Sequence, residues 1–288
     1  MRPVIQRHLV TLFVLCTYAW TWAVQVPPAL AAHGIGHVVR SGGALTLAGF
    51  SPSLVALALI TLGGGRAALA AMLARIRDVR VPIRWYVFAV LFPLVTIAAS
   101  LLALPITGQS FPRLDAWYTP LGMLLLLIPL TGLLEEVGWR GLMLHRLQER
   151  MSPLSATIIV GLAWGIWHVP TYLRTMPEGK RTPLLLVSFL IGVLPLSVIF
   201  TWLYNRTGQR LFPVIVFHAS IDASTSYLLG PVPRGNLVPF WTWLGIITAV
   251  AATLLRRGES GIGRASADVT GSDEGSADGG AAAIPRPY

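Results

Sequence analysis

Eight stretches of this chain are each apolar for about 20 residues, the length a helix needs to cross a hydrocarbon core of about 30 Å. They are Leu9–Ala29, Ala44–Leu62, Trp85–Ile106, Leu121–Leu144, Leu154–Leu173, Leu184–Tyr204, Leu211–Leu229 and Val238–Leu255. No alternating strand pattern competes with them. In lipid every backbone polar group must be satisfied internally, so helices are the remaining solution. The expectation is an all-α, polytopic transmembrane bundle of about eight spans with its active site between helices. Only 12% of the 288 residues are charged, against roughly 25% in soluble domains. One bundle over 1–257 uses the apolar sequence. The Gly-, Ala-, Ser- and Asp-rich stretch 258–288 has no apolar period and reads as a disordered cytoplasmic tail.

The net charge of +10 is not a nucleic-acid footprint in such a chain. Basic residues of membrane proteins collect on the cytoplasmic side. With the N-terminus inside, the outer segments hold Arg40, Arg113, Arg174, Lys180, Arg181 and Arg234, and the other 16 of the 22 basic residues lie inside. Both termini are therefore expected to be cytoplasmic, with membrane lipid as surroundings. Arg2 and Arg7 precede a run ending Ala29-Leu30-Ala31, which mimics a secretory cleavage site. The run exceeds the usual h-region and carries Trp20 and Trp22, so it reads as a retained helix. Residues 67–77 read as an amphipathic interfacial helix, with Arg66, Arg75, Arg77 and Arg80 on or near its polar side. Pro129 should kink the fourth span, and Pro170 should bend or end the fifth. The lone Cys16 excludes an internal disulfide and reads as a packed thiol.

Against this background three carboxylates stand inside apolar sequence: Glu135, Glu136 and Asp222. An acid at mid-bilayer costs about 2.5–3.5 kcal/mol on insertion scales, so each is a functional-site hypothesis. His168 and His218 are embedded in the same way. Glu136 and Arg140 are four apart and share a helix face. That pairing assigns them to an anchor and leaves Glu135 for proton chemistry. Glu135 and His168 lie about equally far from the turn near Ser152-Pro153, which places them at one depth of an antiparallel hairpin. His218 and Asp222 share a face one turn apart, about 10 and 17 Å into the seventh span at 1.5 Å per residue. Glu135, His168, His218 and Asp222 have the ligand types zinc takes. A second reading has Asp222 orienting His218 with no metal.

The three pieces read Glu135-Glu136-Val-Gly-Trp-Arg140, Trp164-Gly-Ile-Trp-His168 and His218-Ala-Ser-Ile-Asp222. In this order, on three apolar helices, they resemble the CPBP intramembrane proteases, also called the Abi or type II CAAX prenyl endopeptidase family. Its motifs are Glu-Glu-x-x-x-Arg, Phe-x-x-x-His and His-x-x-x-Asn/Asp, and the motif region covers about residues 115–230. The resemblance implies hydrolysis of a peptide bond in a membrane-anchored protein or peptide, in a bacterial plasma membrane. Glu135, helped by His168, would activate a water, and His218 with Asp222 or zinc would hold the oxyanion. Glu136, Arg140 and Trp164 would support them. Trp164 replaces the usual Phe. Asp222 stands where prenyl-processing members carry Asn, and an ionised Asp cannot donate to an oxyanion. Two other classes fit the same residues: a proton-coupled transporter and a non-catalytic membrane protein of the bacteriocin-immunity type.

Overall fold

The computed structural model describes residues 2–37, 42–114, 116, 118–175, 182–233 and 236–258. The stretch 259–288, read above as a tail, lies outside the described residues. The described elements are helical throughout, and the chain is an integral membrane protein. Among the described residues seven helices are long and apolar enough to cross a bilayer: α1 (Leu9–Ala32), α2 (Ser51–Arg77), α3 (Ile83–Thr107), α4 (Thr119–Gln148), α5 (Pro153–Arg174), α6 (Leu184–Arg206) and, last of them, α8 (Val238–Arg256). The remaining predicted span is α7 (Phe212–Ser224), continued by a wide π turn over Thr225–Leu229. Its α-helical part is 13 residues long, and nearly all of them are buried. This helix carries His218, Ser220, Asp222 and Ser224 because its surroundings are protein more than lipid.

Cross-helix contacts sort the helix ends into two faces. At one face Leu211, just before α7, donates its backbone N–H to the Arg75 carbonyl. Arg210 pairs with Asp78 at 2.7 Å, and Leu154 and Leu255 join one apolar cluster. That ion pair, with the Arg80 backbone N–H, holds the Asp78 carboxyl below the usual carboxylate range. At the opposite face Asn236 donates to Thr107 and Gln109, the Tyr227 hydroxyl reaches the Ala116 carbonyl, and His33 meets the Leu173 carbonyl. Helix α7 runs from the first face to the second, alongside the seven longer helices among the described residues. Each pair of helix ends at the first face carries arginines: Arg77 with Arg80, Arg146 with Arg150, Arg206 with Arg210, and Arg256 with Arg257. Among the described residues, the second face carries Arg113 and Arg174.

Three expectations shift. Helix α2 kinks at Gly65, whose φ of 70° and ψ of −162° leave the helical region; glycine tolerates this where a Cβ would not. Beyond the kink, Arg75 does not stay on a polar outer side. It turns into the bundle and donates to the Gly141 carbonyl and the Tyr204 hydroxyl. Cys16 is exposed on the outer side of α1 and is not packed. Pro129 does disturb α4, and the form of the disturbance is a π segment over Ile128–Gly132. A proline lacks the N–H that a regular α turn would use.

Candidate active site between α4, α5 and α7

Helix α4 is regular for one turn only where it matters. The α turn Leu133–Glu136 lies between π segments Ile128–Gly132 and Val137–Leu144. Such widened turns recur at functional sites because they re-aim side chains without breaking the helix. Small residues let α4 approach its neighbours. A Cβ on Gly132 would stand 2.3 Å from the Ile215 carbonyl oxygen of α7, and one on Gly138 would stand 2.6 Å from that of Pro52. Close backbone approach at small residues is the packing mode of membrane helices.

Glu136 is fully buried and sits at the centre of an ion-pair network. Its Oε1 accepts from Arg140 Nη1 at 2.7 Å and from His218 Nδ1 at 2.6 Å. The Arg140 guanidinium carbon lies 3.9 Å from the Phe200 ring centre and 4.7 Å from that of Trp164. Aromatic faces favour a cation that has been stripped of water. The pairing of Glu136 with Arg140 is as the i,i+4 spacing predicts. That Glu136 also orients His218 is not, because the two lie 82 positions apart and meet only by packing of α4 on α7.

Glu135 points elsewhere. Its Oε2 accepts from the indole N–H of Trp164 at 2.8 Å, leaving Oε1 without that bond. It is 8% exposed, against 0% for Glu136. The two neighbouring carboxylates thus have different environments: one locked in an ion pair, one facing a cavity. Trp164 does more than pack. Its ring also lies 5.6 Å from both the His168 and the His218 rings.

His168 stands at a break. Helix α5 is regular over Pro153–Trp167, and His168 (φ −79°, ψ −13°) separates this from a further stretch, Val169–Thr175. Its Nδ1 lies 2.9 Å from the Trp164 carbonyl. A carbonyl only accepts, so Nδ1 carries the proton and the lone pair is on Nε2. His218 is oriented by Glu136 on Nδ1, and its Nε2 lies 3.7 Å from Asp222 Oδ2. That exceeds a hydrogen bond, so Asp222 flanks the imidazole and Glu136 orients it.

Glu135, Trp164, His168, His218 and Asp222 line one cavity of about 420 Å³. Glu135 and His168, expected at one depth, share this cavity. The sequence reading missed other wall residues, including Tyr172, Phe189, Ser226 and Trp243. Tyr172 and Ser226 follow His168 and Asp222 by four, and that spacing was a usable signal. The site's donors suit zinc in kind: two imidazole Nε2 atoms whose Nδ1 atoms are tied back, plus carboxylates. As arranged, no three such groups converge on one point among the described residues.

A family model described as type II CAAX prenyl endopeptidase Rce1-like matches residues 117–224. That stretch contains every residue of the cavity network named in the motifs above. CAAX prenyl protease 2 of Methanococcus maripaludis is 27% identical over 146 residues, which is 48% of this chain and 54% of that protein. The chain thus spans about half the length of the curated relative it matches.

Proposed function

We propose that the protein is an intramembrane endopeptidase, because its motif-bearing core, residues 117–224, matches the family model of type II CAAX prenyl endopeptidases and is similar to a CAAX prenyl protease 2. Its substrate is a peptide segment of a membrane-associated protein, and its nucleophile is a water activated by Glu135. The observation that carries this reading is the division of labour between adjacent carboxylates. Glu136 is held by Arg140 and His218, while Glu135 faces the cavity with one oxygen engaged by Trp164.

The steps follow from the atoms. Glu135 Oε1 takes a proton from a water, and the water oxygen bonds to the peptide carbonyl carbon. The developing oxyanion accepts from His218 Nε2–H. This requires the doubly protonated ring, with Glu136 on its Nδ1 side and Asp222 near Nε2. As the tetrahedral intermediate collapses, the C–N bond breaks. The proton taken by Glu135 passes to the departing amine directly or through His168 Nε2. The products are a carboxylic acid and an amine; the acid then gives its proton to the amine or to water, leaving a carboxylate. Asp222 supports the charged His218 here, which gives this position a different part from that of an amide donor. General acid–base catalysis contributes about 10²–10⁴-fold and an oxyanion donor about 10²–10³-fold.

Glu135→Gln keeps the size and the acceptor for Trp164 but removes the base. Cleavage of a membrane-anchored reporter peptide by the purified variant should fall by about 10²–10⁴-fold, with folding intact. Near-normal turnover would sink the glutamate-base mechanism.

A further inference from the structure

We propose that the arginine-bearing face of the bundle holds a site for one anionic phospholipid. Arg7, Arg146 and Arg150 gather its phosphate, and the upper part of an acyl chain lies in a trench between α1, α2 and α4. The site is separate from the Glu135 cavity and does not rest on the hydrolytic reading.

Two adjoining hollows make it. The first, about 360 Å³, is lined by Arg7, His8, Thr11, Arg146 and Arg150. The second, about 210 Å³, is lined by Ile60, Ala68, Ala71, Met72, Arg75 and Leu142. Leu9 and Arg146 line both. A basic chamber thus passes directly into a mostly apolar one, which is the order of a phospholipid head and chain.

Local irregularities surround this space. His8 (φ −111°, ψ 22°) leaves the helical region and separates the short helix Arg2–Arg7 from α1. Helix α2 kinks at Gly65, and α4 is widened over Val137–Leu144. The N-terminal helix is docked: Gln6 donates to the Gly63 carbonyl at 3.1 Å, and a Cβ on Gly63 would stand 3.1 Å from Ile5. That docking keeps Arg7 in one chamber with Arg146 and Arg150.

The charge there is uncompensated. Arg7, Arg75 and Arg150 pair with no carboxylate among the described residues. Glu149 pairs with Arg146 at 3.2 Å but lines neither hollow. Elsewhere on this face Arg210 is neutralised by Asp78. Guanidinium groups match phosphate oxygens as planar forks, and basic pockets between membrane helices suit anionic headgroups. The level fits too. Leu9 opens α1 and Gln148 closes α4, so the chamber lies at the ends of spans, while Ile60, Ala68, Ala71 and Leu142 lie within spans. A free phosphate would leave that apolar trench unused, so the occupant is a lipid.

Native mass spectrometry of the full chain, stripped of lipid in detergent and titrated with phosphatidylglycerol or phosphatidylcholine, tests the site. The parent should retain one phosphatidylglycerol in preference to phosphatidylcholine, and an equal concentration of inorganic phosphate should not displace it. Each arginine lost near an anionic head weakens binding about fivefold, so Arg7→Gln/Arg150→Gln should bind phosphatidylglycerol about 25-fold more weakly. Both residues are exposed, which protects folding. Arg77→Gln removes a charge from the same face outside both hollows and should stay within about twofold of the parent. Ala71→Phe, at an exposed position, keeps every charge but fills the trench. It should weaken retention about tenfold, the loss expected from exposing roughly two methylene groups. Equal retention of the two lipids, or a double arginine variant as good as the parent, overturns the proposal. So does an equal loss in Arg77→Gln, which would mean diffuse attraction to the whole face. Displacement by phosphate, or retention unchanged in Ala71→Phe, would mean an anion site without a lipid and overturns it as well.

Discussion

Neutralising the buried pair Glu136–Arg140 should separate what it does for the fold from what it does for the site. In Glu136→Gln the Arg140 cation keeps its place, 0% exposed, but loses the carboxylate 2.7 Å away. Breaking one side of a buried pair costs about 3–5 kcal/mol. Arg140→Met leaves the mirror defect, a buried Glu136 with only His218 beside it, at a similar cost. The double variant removes both charges. It gives up two cation–ring contacts, at 3.9 and 4.7 Å, worth up to about 2 kcal/mol each when desolvated. It also sheds a desolvation penalty of about 1–4 kcal/mol. The amide oxygen introduced at position 136 can still accept from His218 Nδ1. The net change is within about 2 kcal/mol of the parent, so the coupling energy is at least about 4 kcal/mol. The assay is reversible denaturant unfolding in one detergent for the parent, both singles and the double. Stability losses that simply add, giving a double variant about 6–10 kcal/mol below the parent, would refute the reasoning. Peptide cleavage on the same samples gives the second readout. The stable double variant should be slow, because the carboxylate that supports a charged His218 is gone.

Two further outcomes are expected. Trp164→Phe restores the ring usual at this motif position but deletes the indole N–H bonded to Glu135; a bond to a charged acceptor is worth about 1.5–3 kcal/mol, so kcat should fall about tenfold or more with KM little changed, and unchanged kcat would show that the indole only packs. Prolonged chelation followed by metal analysis should leave cleavage intact if Glu135 alone activates the water; loss of activity restored by zinc would replace the carboxylate route with a metal-assisted one.

What the sequence revealed, and what it hid, follows from the range of each interaction. Apolar run length is local, so the helices were legible, and Glu136–Arg140 was legible because four residues make one turn. Hydropathy has no direction, so run length alone does not separate α7, which is enclosed by protein, from a span that faces lipid. The bond from Glu136 to His218 joins α4 and α7, and the bond from Trp164 to Glu135 joins α5 and α4; neither has a local signature. The equal-depth argument assumed continuous helices, yet α4 contains π segments and α5 breaks at His168. On α5 the register from the Pro153 turn is kept up to His168, but on α4 the π segment Val137–Leu144 lies between that turn and Glu135, so their sharing of one cavity is a fact of packing and not of residue counting. The same holds for Phe200, Leu203 and Tyr204 on α6 and Val214 and Phe217 on α7, fully buried residues that hydropathy alone cannot distinguish from those facing lipid.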